Sequence, residues 1–247
     1  MNVKLAHITS RHIERYVSMQ KDAGVSDRTL QNRMAHIRGE LRAIGREKLA
    51  DSTRLSSSTL GISGASRDGT HRALSQAQYG QALELARAMH PGFAACLELQ
   101  HELGLRMREA IQCGPSLKGW ERSLMRGELV RVVHGTKGGR ERDSRANDPQ
   151  KAMQAVQKAL QAIKQGEGRL IPSQTLQGAA RAYGRLCEAV GLTGEHASHA
   201  LRCMYAQQRF ALHLVHLGDR REALAATSLD LGHGDGRGTY VAQVYLR

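Results

Sequence analysis

Glu102-Leu103-Gly104-Leu105-Arg106-Met107-Arg108-Glu109-Ala110-Ile111 reads as the end of one helix, a glycine break and the start of another. Gly104 interrupts the first helix, and Arg106 then stands where the second begins. Glu109, three residues on, shares a helix face with Arg106 and can orient its guanidinium by a bidentate pair. Such a pair is also an ordinary feature of helix surfaces, so its meaning depends on the rest of the chain. Upstream, Leu74-Ser75 cap and start a helix through about Met89, and Pro91 admits another over Phe93 to about Leu103.

Downstream the character changes. Leu129-Val130-Arg131-Val132-Val133 is rich in β-formers, Gly135-Thr136-Lys137-Gly138-Gly139 is turn material, and alternating charges follow, so residues 128–146 predict a hairpin. Pro149 then opens a helix through about Ile163, and helical patterns continue over 174–190, 197–214 and 219–228. Toward the N-terminus two more helices are predicted, over 9–22 and 26–46. Thr9 or Ser10 caps the first, whose apolar stripe is Ile13, Tyr16 and Val17. Ser26 or Asp27 caps the second, where Leu30, Met34, Ile37, Leu41 and Ile44 recur at helical spacing. That helix also carries Arg28, Arg33, Arg38, Arg42 and Arg46, which suit a DNA backbone and equally suit a solvated face. Ser56-Ser57-Ser58-Thr59 and the glycine- and serine-bearing stretch from Gly61 to Gly69 predict a linker. The expected architecture is mainly α with a small β-sheet: a helical domain over 1–55, a linker over 56–73 and a larger domain over 74–247.

Composition narrows the function. Aromatic residues make up only 4% of the 247, so the core must rest on Leu, Ala, Val, Ile and Met, a mixture that favours helix. Thirty-six Lys and Arg against 23 Asp and Glu leave a net charge of +13. Both parts share the excess: residues 1–70 hold 12 basic and 7 acidic groups, residues 71–247 hold 24 and 16. Both can therefore meet one polyanion, with phosphate neutralisation supplying sequence-independent affinity. The four cysteines, Cys96, Cys113, Cys187 and Cys203, show no metal-ligand spacing, and no metal or other cofactor is expected. With no secretory signal pattern and no membrane-length apolar run, the chain reads as cytoplasmic and reduced, with no membrane partner.

Three further segments complete the pattern. Lys137 sits on the glycine-flanked hairpin tip. His199-Ala200-Leu201-Arg202 opens a helix on which His199 and Arg202 share a face and can address one phosphate. Leu231-Gly232-His233-Gly234 is followed near the end of the sequence by Val244-Tyr245-Leu246. Taken in order, these segments resemble the tyrosine recombinase/phage integrase family over about residues 74–247. The family's first arginine motif falls on Gly104-Leu105-Arg106 with Glu109, its hairpin lysine on Lys137, and its His-x-x-Arg box on His199 and Arg202. Its Leu-Gly-His falls on Leu231-Gly232-His233 and its nucleophile on Tyr245. The N-terminal helices are similar to its SAM-like core-binding domain, through weaker motifs. Cys203 stands where the family often has histidine.

The resemblance implies a site-specific recombinase that integrates or excises a mobile element or prophage through a 3′-phosphotyrosyl intermediate. It implies that Arg106, Arg202 and His233 stabilise the phosphate, His199 takes the phenolic proton and Lys137 protonates the departing 5′ oxygen. Chemically the set is coherent. A phosphodiester gains charge in its transition state, which fixed guanidiniums and imidazole N–H groups can stabilise. A tyrosine hydroxyl ordinarily titrates near pH 10 and needs a base. The implied partners are double-stranded DNA, further copies of the chain as a tetramer on DNA, and accessory DNA-bending proteins, all on the nucleoid. Arg28, Arg33, Arg38, Arg42 and Arg140 are the expected DNA contacts. Tyr240, seven residues beyond His233, competes with Tyr245, twelve beyond it. Tyr245 is preferred for its local pattern, with Gly234-Asp235-Gly236-Arg237-Gly238 read as an inserted loop. His196 lacks the arginine three residues on, and His101, His134, His213 and His216 are read as surface or core residues. Two other functions remain open: an inactive recombinase-derived DNA-binding protein, and a DNA-relaxing enzyme like the type IB topoisomerases.

Overall fold

The computed structural model describes residues 7–65, 68–234 and 236–246. The chain divides into two compact units, Met1–Arg67 and Asp68–Arg247. In the first, α1 (Ser10–Asp22) and α2 (Asp27–Ala43) are joined by a turn that ends at Ser26, whose hydroxyl accepts the Thr29 N–H. Ile13 and Val17 from α1 meet Leu30, Met34 and Leu41 from α2 in a small apolar core. The second helix is shorter than its periodicity predicts, because the chain turns after Ile44 and restarts as α3 (Glu47–Ala50).

The serine- and glycine-rich stretch expected to lie in the linker is partly built into this unit. Leu55 and Ile62 are fully buried in its core. Gln31 donates to the Ile62 carbonyl at 2.6 Å, and Lys21 to that of Gly61 at 3.0 Å. Small residues there serve tight turns, with Leu60 N–H bonded to the Ser56 carbonyl and Ile62 N–H to that of Ser57.

The second unit is organised around one helix. After α4 (Gln76–Met89), capped by a reciprocal Ser75–Gln78 box, Pro91 starts α5 (Pro91–Leu103). Every residue of α5 from Gly92 to Leu103 is buried. It is flanked by α4, by α8 (Pro149–Gln165) and by α10 (His199–Leu217). The face of α8 toward the core is Ala152, Ala155, Val156, Ala159 and Ala162, and these small side chains let the two helix backbones approach closely. Polar groups on α5 are paired within the unit: Glu98 with Arg87 and Lys158, Gln100 with the Tyr183 hydroxyl, His101 with Glu102.

Short helices α6 (Met107–Gln112) and α7 (Leu117–Met125) lead into the hairpin. Its strands are brief, β1 (Val130–Val132) and β2 (Arg142–Ser144), antiparallel with Val132 opposite Arg142 and Val130 opposite Ser144. Trp120 of α7 donates to the Arg131 carbonyl at 2.7 Å and so pins β1. The chain continues through α8, α9 (Leu176–Ala189), α10 and α11 (Arg220–Asp230), and ends its described part in α12 (Gly238–Tyr245). A small cluster of Cys203, Tyr205, Ala206, Leu231, Val241 and Tyr245 packs α11 and α12 against α10. No helix among the described residues is long and apolar enough to cross a membrane.

Phe93 is fully buried, with its ring 5.2 Å from that of Tyr183 in an edge-on contact. Phe93→Ala should cost about 3–5 kcal/mol of stability, through lost burial and the cavity left behind, as read by urea denaturation.

Candidate active site

Gly104 closes α5 in the left-handed conformation, with φ of +57°. A Cβ there would lie 2.4 Å from the Tyr205 ring, so the position requires glycine twice over, for its backbone and for this contact. The turn frees the Gly104 carbonyl from the helix ladder. Two guanidiniums use it: Arg142 Nη2 at 3.1 Å, and Arg202 Nη1. Arg202 is wholly buried, donates from Nη2 to the Leu231 carbonyl, and has Nε 3.4 Å from the Tyr245 hydroxyl. Arg142 also donates to the Asp230 carbonyl at 3.2 Å. Both arginines therefore sit at the C-terminal ends of α5 and α11, where unsatisfied carbonyls and the helix dipole favour positive charge.

Glu109 links this pair to Arg106. Its Oε1 accepts from Arg106 Nη1 at 2.7 Å, while its Oε2 accepts both the Arg106 backbone N–H and Arg142 Nη2, each at 2.8 Å. Burial alone pushes the Glu109 carboxyl up. The charge and hydrogen bond of Arg142, the charge of Arg202 and the Arg106 backbone N–H outweigh that and hold it at about 2. Arg202 has no carboxylate within ion-pair distance among the described residues. Two guanidiniums thus share one carboxylate while the third has none, and the cluster carries excess positive charge.

The imidazoles add none of their own near neutrality. His233 is held down at about 3 by burial and by the charges of Arg202, Arg106, Arg237 and Arg142. His199 is held at about 4 by burial and by Arg202, His71 and Arg106. His233 Nε2 lies 3.0 Å from the Tyr245 hydroxyl. The His199 ring lies beside Tyr245 at 5.7 Å between centroids, and the His71 ring lies 5.1 Å from His199.

The sequence-predicted residues thus fall into two groups. Arg106, Glu109, His199, Arg202, His233 and Tyr245 converge. Lys137 and Arg140 stand exposed on the hairpin tip, their side chains with no hydrogen bond or ion pair among the described residues. The hairpin itself is held close to the cluster, since a Cβ on Gly135 would lie 2.3 Å from the Arg108 carbonyl oxygen. Tyr245 is buried in the cluster, whereas Tyr240 is exposed and presents its ring to His233 edge-on at 5.1 Å. Gly234 and Gly236–Arg237 form the turn before α12, and Asp235 lies outside the described residues.

The α2 arginines have local partners: Arg28 bonds Gln31, Arg33 bonds Tyr16 and Gln20, Arg38 donates to the Leu55 carbonyl, and Arg42 pairs with Asp51. His213, read as surface or core, joins Arg209 on the Asp230 carboxylate. Two participants escaped the sequence reading. His71 fell in the expected linker and gave no signal. Arg142 was hidden in the charge run Arg140-Glu141-Arg142-Asp143, although strand alternation puts it on the same face as Ser144 and opposite Val132.

Comparison with known families finds two matches along the chain. A family model described as Integrase matches residues 61–208, and one described as Phage integrase, N-terminal matches residues 1–50. The first match spans Arg106, Lys137, His199 and Arg202 and stops short of His233 and Tyr245. No curated protein matches the chain.

The depressed imidazoles set a pH dependence. Unfolded, both histidines take up a proton near pH 6.5. Folded, they do so only near 4 and 3, so the unfolded state binds more protons in between and stability falls as pH drops from about 6.5 toward 4. Glu109, lowered from 4.5 to about 2, keeps its contribution until pH falls below 4.5. His233→Gln should therefore flatten the loss between pH 6.5 and 4.5 in urea titrations; an unchanged slope would contradict this assignment.

Proposed function

The chain belongs to the phage integrase family, and from that premise we propose that it is a site-specific DNA recombinase that cuts and rejoins strands through Tyr245. The observation that carries this reading is a tyrosine hydroxyl placed inside a buried cluster with excess positive charge: 3.0 Å from His233 Nε2 and 3.4 Å from Arg202 Nε. Such a cluster is electrostatically incomplete until an anion enters, and a phosphodiester supplies one. Arg106 and Arg202 then stabilise its non-bridging oxygens as charge grows on them.

The imidazoles respond to the same event. Arginine charge and burial keep them neutral in the free protein, so each has a nitrogen able to accept a proton. Partial neutralisation of the arginines by phosphate raises their basicity. The phenolic proton then passes to an imidazole. His233 is the one in contact in the free protein, and His199 stands beside the ring as the family's base. The tyrosyl oxygen attacks phosphorus, the 3′-phosphotyrosyl bond forms and the 5′ oxygen leaves. Lys137, exposed on a tip whose base packs against Arg108, protonates the leaving oxygen once the hairpin meets DNA. Attack by the 5′ hydroxyl of another strand reverses the chemistry and completes exchange, since the phosphotyrosyl linkage conserves the energy of the bond that was broken.

This activity implies double-stranded DNA as substrate, several copies of the chain on it, and a place of action on the nucleoid. Integration or excision of a mobile element or prophage is the biological role that fits. An inactive DNA-binding descendant would have no reason to keep Tyr245, His233 and Arg202 in mutual contact, which favours an enzyme.

Nicked duplexes taken from the DNA flanking the reading frame should trap a protein–DNA adduct that survives denaturant. Tyr245→Phe should abolish it and Tyr240→Phe should leave it. The converse result would move the nucleophile to Tyr240, and salt-sensitive binding without any adduct would favour the inactive descendant.

A further inference from the structure

We propose that Arg142 is a positioning residue of this site: it holds and aims the Glu109 carboxylate, and through Glu109 it sets the Arg106 guanidinium against the scissile phosphate. The inference rests on the recombinase reading for its phosphate, but its geometry stands by itself.

Arg142 makes four polar contacts and is 6% exposed. Two go to Glu109, with Nη2 at 2.8 Å and Nε at 3.5 Å. The others go to the carbonyls of Gly104 and Asp230, so one side chain joins β2 to the end of α5, the start of α6 and the end of α11. A direct packing contact adds to this: a Cβ on Gly232, whose φ is +66°, would lie 2.4 Å from Arg142 Cδ. The glycine of Leu231-Gly232-His233 thereby makes room for the stem of Arg142. The residue before the candidate phosphate ligand His233 and the carboxylate behind Arg106 lean on the same arginine.

The charged groups facing the Glu109 carboxylate are Arg106 from ahead of its own helix, Arg142 from β2 and Arg202 from α10. Arg142 contributes the largest lowering influence, and burial pushes in the opposite direction. Removing its charge therefore exposes Glu109 to the cost of its burial, and the carboxyl protonates closer to neutral pH. A protonated Glu109 keeps at most a weak bond to Arg106, which then swings free. The effect is specific to pH, which separates a positioning role from a general loss of packing.

The test uses the full chain with Arg142→Gln and Arg142→Lys, and two readouts. In the first, the Glu109 carboxyl carbon is followed by NMR as pH is varied, which needs no activity. Arg142→Gln should move its midpoint up to roughly pH 5–7, while wild type and Arg142→Lys stay below pH 4. In the second, adduct formation is timed on the nicked duplex. Arg142→Gln should be slower by on the order of 100-fold at pH 8, and it should lose further, beyond any loss in wild type, as pH falls through its raised Glu109 midpoint, by about twofold at the midpoint and about tenfold one pH unit below it. Arg142→Lys, which keeps the charge but not the fork, should be slower with the pH dependence of wild type. A Glu109 midpoint unmoved in Arg142→Gln overturns the proposal, as does an equal loss at every pH. If Arg142→Gln does not fold, an Arg142→Lys variant that forms the adduct as fast as wild type overturns it. Wild-type protein that forms no adduct while the NMR shift appears refutes the recombinase reading and leaves the hold of Arg142 on Glu109 standing.

Discussion

The carbonyl of Gly104 is the acceptor on which the site turns. Arg142 and Arg202 come from a strand and a helix far apart in sequence, yet both donate to this one oxygen at the left-handed end of α5. A helix carrying on past residue 103 would have spent that carbonyl on its own ladder. Because α5 is buried from Gly92 to Leu103, its C-terminal end is also fixed in position. The cluster thus inherits the rigidity of the core, which is what a preorganised electrostatic site requires.

Burying several guanidiniums with one carboxylate is expensive, and the fold meets the cost with dipoles instead of charges. The C-terminal ends of α5 and α11 converge on Arg142 and Arg202, offering the carbonyls of Gly104, Asp230 and Leu231. Carbonyl oxygens satisfy the hydrogen-bonding capacity of a guanidinium but leave its charge uncancelled. More carboxylates would have stabilised the folded chain further and neutralised the site toward an anion. The only carboxylate in contact with the cluster's arginines among the described residues is Glu109, and it faces Arg106 and Arg142, leaving Arg202 to the tyrosine.

Much of this was legible in the sequence where local rules and chemistry agree. Gly104 as a helix stop, Glu109 at helical spacing from Arg106, and His199 with Arg202 on one face all follow from periodicity. The helix-rich class follows from the scarcity of aromatics. What escaped depends on tertiary context. Arg142 sits in a charged run that reads as solvated, and only its pairing opposite Val132 reveals that it points inward. The run from Ser56 to Ile62 has the composition of a spacer, yet Ile62 is an anchor in the first unit's core. The arginines of α2 read as one basic face, although Arg38 spends its guanidinium on the Leu55 carbonyl and Arg42 on Asp51. Composition reports which groups are charged, but not which of them the fold has already paired.

The choice between the two terminal tyrosines shows how the levels combine. Five residues of helix separate Tyr240 from Tyr245, so they leave α12 in directions more than a third of a turn apart. Only one direction can face α10, and the apolar pattern decides which. Val241 and Tyr245, four apart, form the buried face of α12 with Cys203, Tyr205 and Leu231. Tyr240 is left on the outer side, where its ring edge covers His233. The same packing that docks α12 on α10 therefore brings the Tyr245 hydroxyl to Arg202 and His233. Any change that rotates α12 would exchange a buried tyrosine for an exposed one, so in this chain the apolar contact of Val241 sets the polar contact of Tyr245.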